Sequence, residues 1–177
     1  MTHASDRQHA LEAVRQVIAE TGIEHEPGAR DGEIVATLPG EKKLKTVVSL
    51  IVGAQALSVS AFVIRNADEN HAELYRHLLQ RNLRMPLLAY SIDASGDVYV
   101  GGRIPLRGVT PEIVDHVLGV VLDAADTPFN ELLLIGFRTS MQKEWDWRVS
   151  RGESLRNLEA FRSVLERDTD AAGPATQ

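Results

Sequence analysis

The chain has 177 residues, 44 % of them hydrophobic, and a formal net charge of −6. This length and apolar content suit one domain with a core of its own. The negative charge argues against a general affinity for nucleic acid or anionic membranes, because both need clustered cations. The absence of cysteine excludes disulfide bonds, thiolate catalysis and cysteine-ligated metal centres.

The N-terminal segment M-T-H-A-S-D-R-Q-H lacks the apolar core of a signal peptide. No run in the chain approaches the ~18 apolar residues that are needed to cross a bilayer. We therefore expect a cytoplasmic protein with no membrane partner.

The first third of the chain predicts one helix followed by three strands. Ser5 and Gln8 form a capping-box pattern, apolar residues follow at helical spacing, and Gly22 supplies a stop, which predicts a helix over residues 6–21. Three apolar, largely β-branched runs separated by glycine-containing turns predict an antiparallel meander. These runs are residues 33–39, 43–52 and 56–64.

The rest of the chain predicts a second helix, a β-hairpin and further helices. Asn66 or Asp68 could cap a helix that extends to about Arg81. Threonine–proline pairs at Thr110 and Thr127 open a third and a fourth helix, because threonine caps well and proline fits the first helical position. A last amphipathic segment carries Leu155, Leu158, Phe161 and Leu165.

The hairpin loop D-A-S-G-D-V raises the question of a metal site. Asp93, Ser95 and Asp97 place an oxygen at every second position, as the first half of an EF-hand does. An EF-hand also needs glycine at position six and an acidic residue at position twelve, where this chain has Val98 and Ile104. The pattern instead predicts a three-residue hairpin loop that ends in a left-handed glycine, and no metal site.

The elements together predict an α+β fold in the order α-β-β-β-α-β-β-α-α. Its five antiparallel strands form one sheet, and the helices cover at least one face of it, because such a sheet cannot bury both faces by itself.

Candidate catalytic groups are sparse. None of the six histidines forms an i, i+4 pair with another, and the chain contains no G-x-S-x-G, Walker A or G-x-G-x-x-G motif. The best residues for an enzyme are His71 and Glu73, with Tyr75 nearby. We expect solvated helix residues there, and therefore neither an enzyme nor a cofactor.

Two further groups have a functional and a structural interpretation. Gly101 and Gly102 could cradle a phosphate, but they lie in a strand, where a bulge or a close approach of a helix to the sheet explains them better. Five arginines could form a nucleic-acid patch if the second helix lies near the hairpin, although a solvated face fits the acidic chain better. These arginines are Arg76, Arg81, Arg84, Arg103 and Arg107.

The segment K-E-W-D-W-R is the most informative polar stretch. If it were extended, Trp145 and Trp147 would point the same way and the charged residues the other way. The two indoles then either fill the gap between the terminal helices and the sheet or anchor a protein interface, in which tryptophan and arginine are enriched. The candidate partner-binding residues are Tyr75, Trp145, Trp147 and Arg148.

Three phrases resemble the YbjN family of bacterial sensory transduction regulators, and its actinobacterial branch in particular. They are D-E-N-H-A-E-L-Y-R-H-L-L-Q-R-N (68–82), D-A-S-G-D-V-Y-V-G-G-R-I-P-L (93–106) and F-N-E-L-L-L-I-G-F-R-T-S-M-Q-K-E-W-D-W-R (129–148). The resemblance implies a type III secretion chaperone-like fold and a dimer that holds other polypeptides. It implies a YbjN-like single domain over 1–150, and it brings no catalytic residues. A C-terminal helix over 151–168 and a disordered tail over 169–177 then follow.

These observations favour a non-enzymatic protein-binding module, a chaperone- or adaptor-like regulator that acts as a homodimer. Two alternatives remain open. One is a regulator that senses a small molecule between the sheet and the helices, and the other is an enzyme of unknown class.

Overall fold

The structure is a computed structural model that describes residues 2–171, with side chains described for residues 4–167. The helices are α1 (Thr2–Thr21), α2 (His71–Asn82), α3 (Pro111–Asp126), α4 (Phe129–Arg151) and α5 (Arg162–Ala171). The strands are β1 (Glu24–Pro27), β2 (Glu33–Pro39), β3 (Lys45–Val52), β4 (Ala56–Ile64), β5 (Ala89–Ile92) and β6 (Val98–Pro105). Short 3-10 helices occupy Leu106–Gly108 and Arg156–Phe161.

One antiparallel sheet has the strand order β1-β2-β3-β4-β6-β5. The predicted meander is confirmed, with β3 beginning at Lys45. The predicted strand number and element order are wrong, because the sheet has six strands and the order is α-β-β-β-β-α-β-β-α-α-α. The missed strand is β1, whose sequence E-H-E-P is exposed throughout and contains no β-branched residue. Its pairing with β2 defines it, and that pairing cannot be read from four residues.

One face of the sheet carries the core. Along β3 and β4 every second residue is buried, and these side chains pack with α1 and α3 into a single apolar cluster. Alternating burial is the arrangement expected of a sheet that is covered on one face. Tyr90 extends this core from β5, and its hydroxyl donates to the carbonyl oxygen of Ala124 on α3 at 2.7 Å.

The predicted helix signals are confirmed at some positions and wrong at others. Thr110 caps α3 by accepting from the amide of Ile113, and Pro111 takes the first position. Thr127 does not cap α4; it ends α3, and its hydroxyl donates to the Asp123 carboxylate. α1 begins at Thr2, so Ser5 lies inside the helix instead of at its cap.

The hairpin prediction is confirmed. Gly96 has φ 85°, and the Asp93 carboxylate accepts from the amides of Ser95 and Asp97 at 2.8 and 3.0 Å. The Asp97 carboxylate in turn accepts from the amide of Asn66 at 2.7 Å. These carboxylates organise the turn. Within the described part of the chain, no group of three or more His, Asp or Glu side chains is placed to hold a metal ion.

Both edges of the sheet are closed to further strands. β1 presents charged residues and ends in a proline, two devices that discourage edge pairing. At the other edge the Asn82 side chain occupies the free side of β5, accepting from the amide of Tyr90 at 2.7 Å and donating to its carbonyl at 3.3 Å. A partner is therefore expected to meet side chains and not an open strand.

The C-terminal predictions fall partly outside the described residues. The segment after α4 holds a 3-10 helix followed by α5. Residues 169–171 of the predicted disordered tail belong to α5, and residues 172–177 lie outside what the structure describes. Among the described residues, no helix is both long and apolar enough to span a membrane.

Candidate functional site

Four exposed apolar side chains lie on α2, on the segment that follows it and on the edge strand β5. These side chains, which we call the α2–β5 patch, are Leu79, Leu83, Leu87 and Ile92. Leu79 is 65 % exposed and Leu83 is 88 % exposed, and the other two are about half exposed. Leu79 and Leu83 are one helical turn apart, so they share a face. Sequence reasoning missed this patch because the same leucine spacing also predicts a buried helix stripe.

Leu87, one of the four members of the patch, has a strained backbone conformation. Leu87 has φ 62°, which an L-residue rarely adopts, and the amide of Leu88 donates to the carbonyl of Pro86 at 2.7 Å across it. This is a tight three-residue turn of the rare γ type. The Leu87 carbonyl lies against Gly102, where a Cβ atom would be only 2.7 Å away. The helix-to-sheet approach predicted for Gly102 is wrong, because the close neighbour of Gly102 is this turn and not a helix.

The second exposed apolar surface is the sheet face opposite the core, which we call the outer sheet face. Val47 and Phe62 are exposed there, and Ser49, Ser58 and Ser60 lie between the apolar residues along β3 and β4. Val47 and Phe62 belong to neighbouring strands. Small polar and apolar side chains alternate on this face, which gives a shallow surface without a dense charge.

The K-E-W-D-W-R segment is helical, so the extended arrangement considered from sequence is wrong. Two residues apart on a helix is a rotation of ~200°, which places the two indoles on opposite faces. Trp145 is 3 % exposed and packs with Leu158, Phe161 and Leu165 in a second apolar cluster. Trp147 is 47 % exposed.

The charged neighbours of the tryptophans hold the end of α4. Arg148 bonds Glu144 at 2.7 Å and donates to the carbonyl of Ser154 at 3.0 Å, and the Arg151 guanidinium lies 5.0 Å from the Trp147 ring centroid. Tyr75, on α2, is half-buried and far from this segment in the chain. Because Trp145 is buried and Trp147 lies on the opposite face of α4, the four predicted partner-binding residues do not form one surface.

The loop before α2 is tied to the middle of α4. The amides of Asp68 and Glu69 both donate to the carbonyl of Gly136, and the Glu69 carboxylate accepts from the amide and hydroxyl of Thr139 at 2.6 and 2.7 Å. These bonds lower the pKa of Glu69. Hydrogen bonds from Arg65 and then Ser140 hold the pKa of Asp68 at about 2. Hydrogen bonds between a helix backbone and residues outside the helix interrupt the regular i→i−4 hydrogen-bond pattern of that helix.

A cleft of about 480 Å³ opens between the end of β4, the turn before β3, α4 and the Arg156–Phe161 3-10 helix. Phenylalanine, leucine and methionine side chains form its walls, and Lys43 supplies an ammonium group. Burial lowers the pKa of Lys43 to about 8. Sequence reasoning missed this cleft because its walls come from segments that are far apart in the chain.

A larger cleft of about 980 Å³ lies between α2 and α3. Its lining mixes Arg81 and Arg84 with Asp115 and Asp123, so it presents no dominant charge. Arg103 lines a different cleft, next to the β3–β4 turn, and Arg107 bonds Asp6 at 3.2 Å. Arg81 and Arg84 thus share one cleft, and Arg103 lines another. His71 and Glu73 are exposed on α2 and line none of these three clefts.

The fold defines a small α+β protein with exposed apolar side chains on α2, β5 and the outer sheet face. A family model, YbjN, described as "Putative bacterial sensory transduction regulator", matches residues 10–134. The chain belongs to the YbjN family.

Mycobacterial proteins are among the relatives of the chain, which confirms the predicted actinobacterial branch. An uncharacterized protein of Mycobacterium leprae (strain TN) is 46 % identical over 165 residues, which is 92 % of this chain and 87 % of that protein. An uncharacterized protein of Mycobacterium tuberculosis (strain ATCC 25618 / H37Rv) is 50 % identical over 135 residues, which is 76 % of this chain and 74 % of that protein.

In structure, the chain is similar to a chain of the crystal structure of the ExsC-ExsE complex. The TM-score is 0.50 with 18 % sequence identity, and the match covers 69 % of this chain and 92 % of that chain. At this identity the likeness shows a shared fold and nothing more specific.

Proposed function

We propose that the protein is a non-enzymatic protein-binding module, an adaptor- or chaperone-like regulator that acts as a homodimer through the α2–β5 patch. The observation that carries the proposal is this patch, four apolar side chains about half exposed or more at one edge of the sheet. We infer that these side chains form one contiguous apolar surface, which would be typical of a protein contact. Because two-fold contacts reuse one patch on both copies, a single patch suffices for a dimer.

The comparisons support the same proposal. The family carries a regulatory description, and the similar fold occurs in a structure of a complex. We infer that the outer sheet face receives a polypeptide partner, because the inner face is buried and Asn82 and β1 close the sheet edges. The cytoplasmic location and the division at residues 150 and 168 stay predictions.

Among the residues selected from sequence, Tyr75 and Trp147 remain candidates for partner contact. Tyr75 lies on α2 beside the patch, and the Trp147 indole is open to solvent. Arg148 would contribute through its exposed part while it holds Glu144. A direct contact through Trp145 would require the second apolar cluster to open.

Self-association is tested with Leu83→Glu, and Leu44→Glu is the matched control. Leu44 is 81 % exposed and lies outside the patch. Burying a leucine contributes ~1.5–3 kcal/mol, and a two-fold interface loses two copies, so Leu83→Glu raises the dimer dissociation constant by about 10²-fold or more. Sedimentation velocity at protein concentrations from about 1 to 100 μM measures the dimer dissociation constant. A dissociation constant of about 1 μM corresponds to a binding free energy of −8.2 kcal/mol. A wild-type monomer throughout this range would exclude the homodimer.

Partner binding is tested separately. Val47→Glu on the outer sheet face should abolish the crosslinking of a specific polypeptide from native lysate, whereas Leu44→Glu should leave it intact. Equal recovery by both variants would show that the outer sheet face is not the binding surface.

The enzyme alternative has no support from the positions of its best residues. His71 and Glu73 are exposed, and the His71 and Tyr75 rings have centroids 6.1 Å apart without lining a described cleft. The sensor alternative is favoured by one observation, the Lys43 cleft.

A further inference from the structure

The Lys43 cleft has the size and composition of a ligand site. Its volume of about 480 Å³ lies within the ~300–1,000 Å³ that is usual for small-molecule sites. The walls are apolar, and they include Phe62, Phe129, Leu133, Phe137, Met141 and Phe161. Such walls suit a ligand whose body carries few polar groups.

Two cations line this cleft, Lys43 and Arg65, and Arg65 is paired with Asp68. The Lys43 ammonium donates to the carbonyl oxygens of Phe62 and Val63, the latter at 2.9 Å, and lies 5.0 Å from the Phe62 ring centroid. An ammonium has three donors, so one remains for a ligand. No carboxylate among the described residues forms an ion pair with Lys43. Burial is the cause of its lowered pKa, which is the state of a cation that lacks a counter-ion.

The other charged groups at the cleft already have partners. Arg65 makes two hydrogen bonds to Asp68, at 2.7 and 3.0 Å, and its guanidinium lies 4.3 Å from the Phe137 ring centroid. Glu144 is bound by Arg148 at 2.7 Å. A ligand anion would therefore find Lys43 available without breaking an existing ion pair.

We propose that this cleft binds a monocarboxylic acid with an apolar body, whose carboxylate pairs with the Lys43 ammonium and whose body lies among the phenylalanine side chains. A cation that is available beside an apolar cleft is complementary to a molecule with one anionic group. A peptide segment fits less well, because its backbone N–H and C=O groups would meet walls that offer few hydrogen-bond partners. This proposal does not depend on the protein-binding function.

Decanoate, used below its micelle concentration, is the probe. Trp147→Phe leaves Trp145 as the single tryptophan, and Trp145 packs with Leu158 and Phe161, which also line the cleft. We expect a saturable change in Trp145 emission with decanoate. Decanol, which has the same chain without the charge, should bind at least tenfold more weakly, a difference of about 1.4 kcal/mol.

Lys43→Gln in the same background should weaken decanoate binding at least tenfold and remove the preference over decanol. Lys45→Gln is the matched control, because Lys45 is exposed and lies outside the cleft, and it should bind decanoate as before. The absence of saturable binding, equal affinity for decanoate and decanol, or an unchanged affinity in Lys43→Gln would each overturn the proposal. If Lys43→Gln does not fold, the decanoate–decanol comparison decides alone.

The same proteins separate this site from the proposed dimer. Sedimentation of Lys43→Gln should give the wild-type dissociation constant, because Lys43 does not belong to the α2–β5 patch. A failure of decanoate binding would leave the dimer result standing, and the reverse also holds.

Discussion

The half-buried ammonium of Lys43 predicts an unusual rise of stability in alkaline solution. Its pKa is about 8 in the folded chain against an ordinary value of 10.5, and the cause is burial. The unfolded chain therefore binds more protons than the folded chain between these values. Because stability rises with pH wherever the unfolded state binds more protons, this contribution is present above pH 10.5 and is lost as pH falls through 8.

The size of the effect follows from the same two values. Between pH 7.5 and 9.5 they give an increase of about 1.8 kcal/mol in the free energy of unfolding, if the group were fully shielded from solvent. Lys43 is only half-buried, so solvent screening reduces the expected increase to about 1 kcal/mol. The titration of Tyr90 changes the free energy of unfolding little in this range. Burial raises the pKa of Tyr90, so its titration lowers the free energy of unfolding only above about pH 10.

Urea unfolding at pH 7.5, 8.5 and 9.5, the window set by a pKa of about 8, measures this increase. Lys43→Met should abolish it, and Lys45→Met should keep it, because Lys45 is solvent-exposed. The difference between the two variants cancels the titration of all other groups. Parallel curves for Lys43→Met and Lys45→Met would refute the reasoning, since the lysine would then not be desolvated.

Three further predictions concern packing and hydrogen bonds. Tyr90→Phe should lower the free energy of unfolding by ~1–3 kcal/mol, measured by urea unfolding, because the Ala124 carbonyl loses its buried donor; Tyr99→Phe on the outer sheet face is the control. Trp145→Ala should lower the free energy of unfolding by ~3–5 kcal/mol and expose residues 156–167 to proteolysis, because Trp145 is buried. Trp147→Ala should lower it by under ~0.5 kcal/mol. Equal losses in the two variants would contradict the difference in burial. Glu69→Gln should lower the urea midpoint at pH 7. The lowered pKa of Glu69 supplies stability that is present above the pKa of the unfolded chain and is lost as pH falls through the pKa of the folded chain. On acidification the variant should therefore lose less stability than wild type. Glu73→Gln, at an exposed residue, is the control and should behave like wild type.

The sequence predicts most of the sheet because its central strands carry their own signal. Residues 33–39 and 56–64 match the observed strands at both ends, and in residues 57–60 apolar and polar residues alternate as the burial does. β1 carries no such signal, and its four exposed residues become a strand only by pairing with β2. The spacing of Trp145 and Trp147 suits a strand as well as a helix. The packing of Trp145 with Leu158, Phe161 and Leu165, which follow later in the chain, favours the helix.

The candidate sites are harder to predict than the strands, because each depends on contacts across long stretches of chain. Leu79 looks like a core leucine until the position of α2 at the sheet edge is known. Lys43 is the first residue of a predicted strand, and only the structure shows that α4 and the Arg156–Phe161 3-10 helix line a cleft with it. The two helical phrases that resemble the YbjN family contain Glu69 and Thr139, but only the structure shows that these residues bond each other.

The outer sheet face and the Lys43 cleft are physically connected, which gives the two proposals a shared consequence. Phe62 stands on the outer sheet face, lines the cleft and holds the Lys43 ammonium through its carbonyl. Its ring also packs edge-on against Tyr99 of β6, with centroids 5.6 Å apart. A carboxylate drawn to Lys43 would change the surroundings of Phe62 and hence the surface next to Val47. If both proposals hold, any change that the ligand makes in the affinity for the polypeptide equals the change that the polypeptide makes in the affinity for the ligand, because coupling between two binding sites is reciprocal.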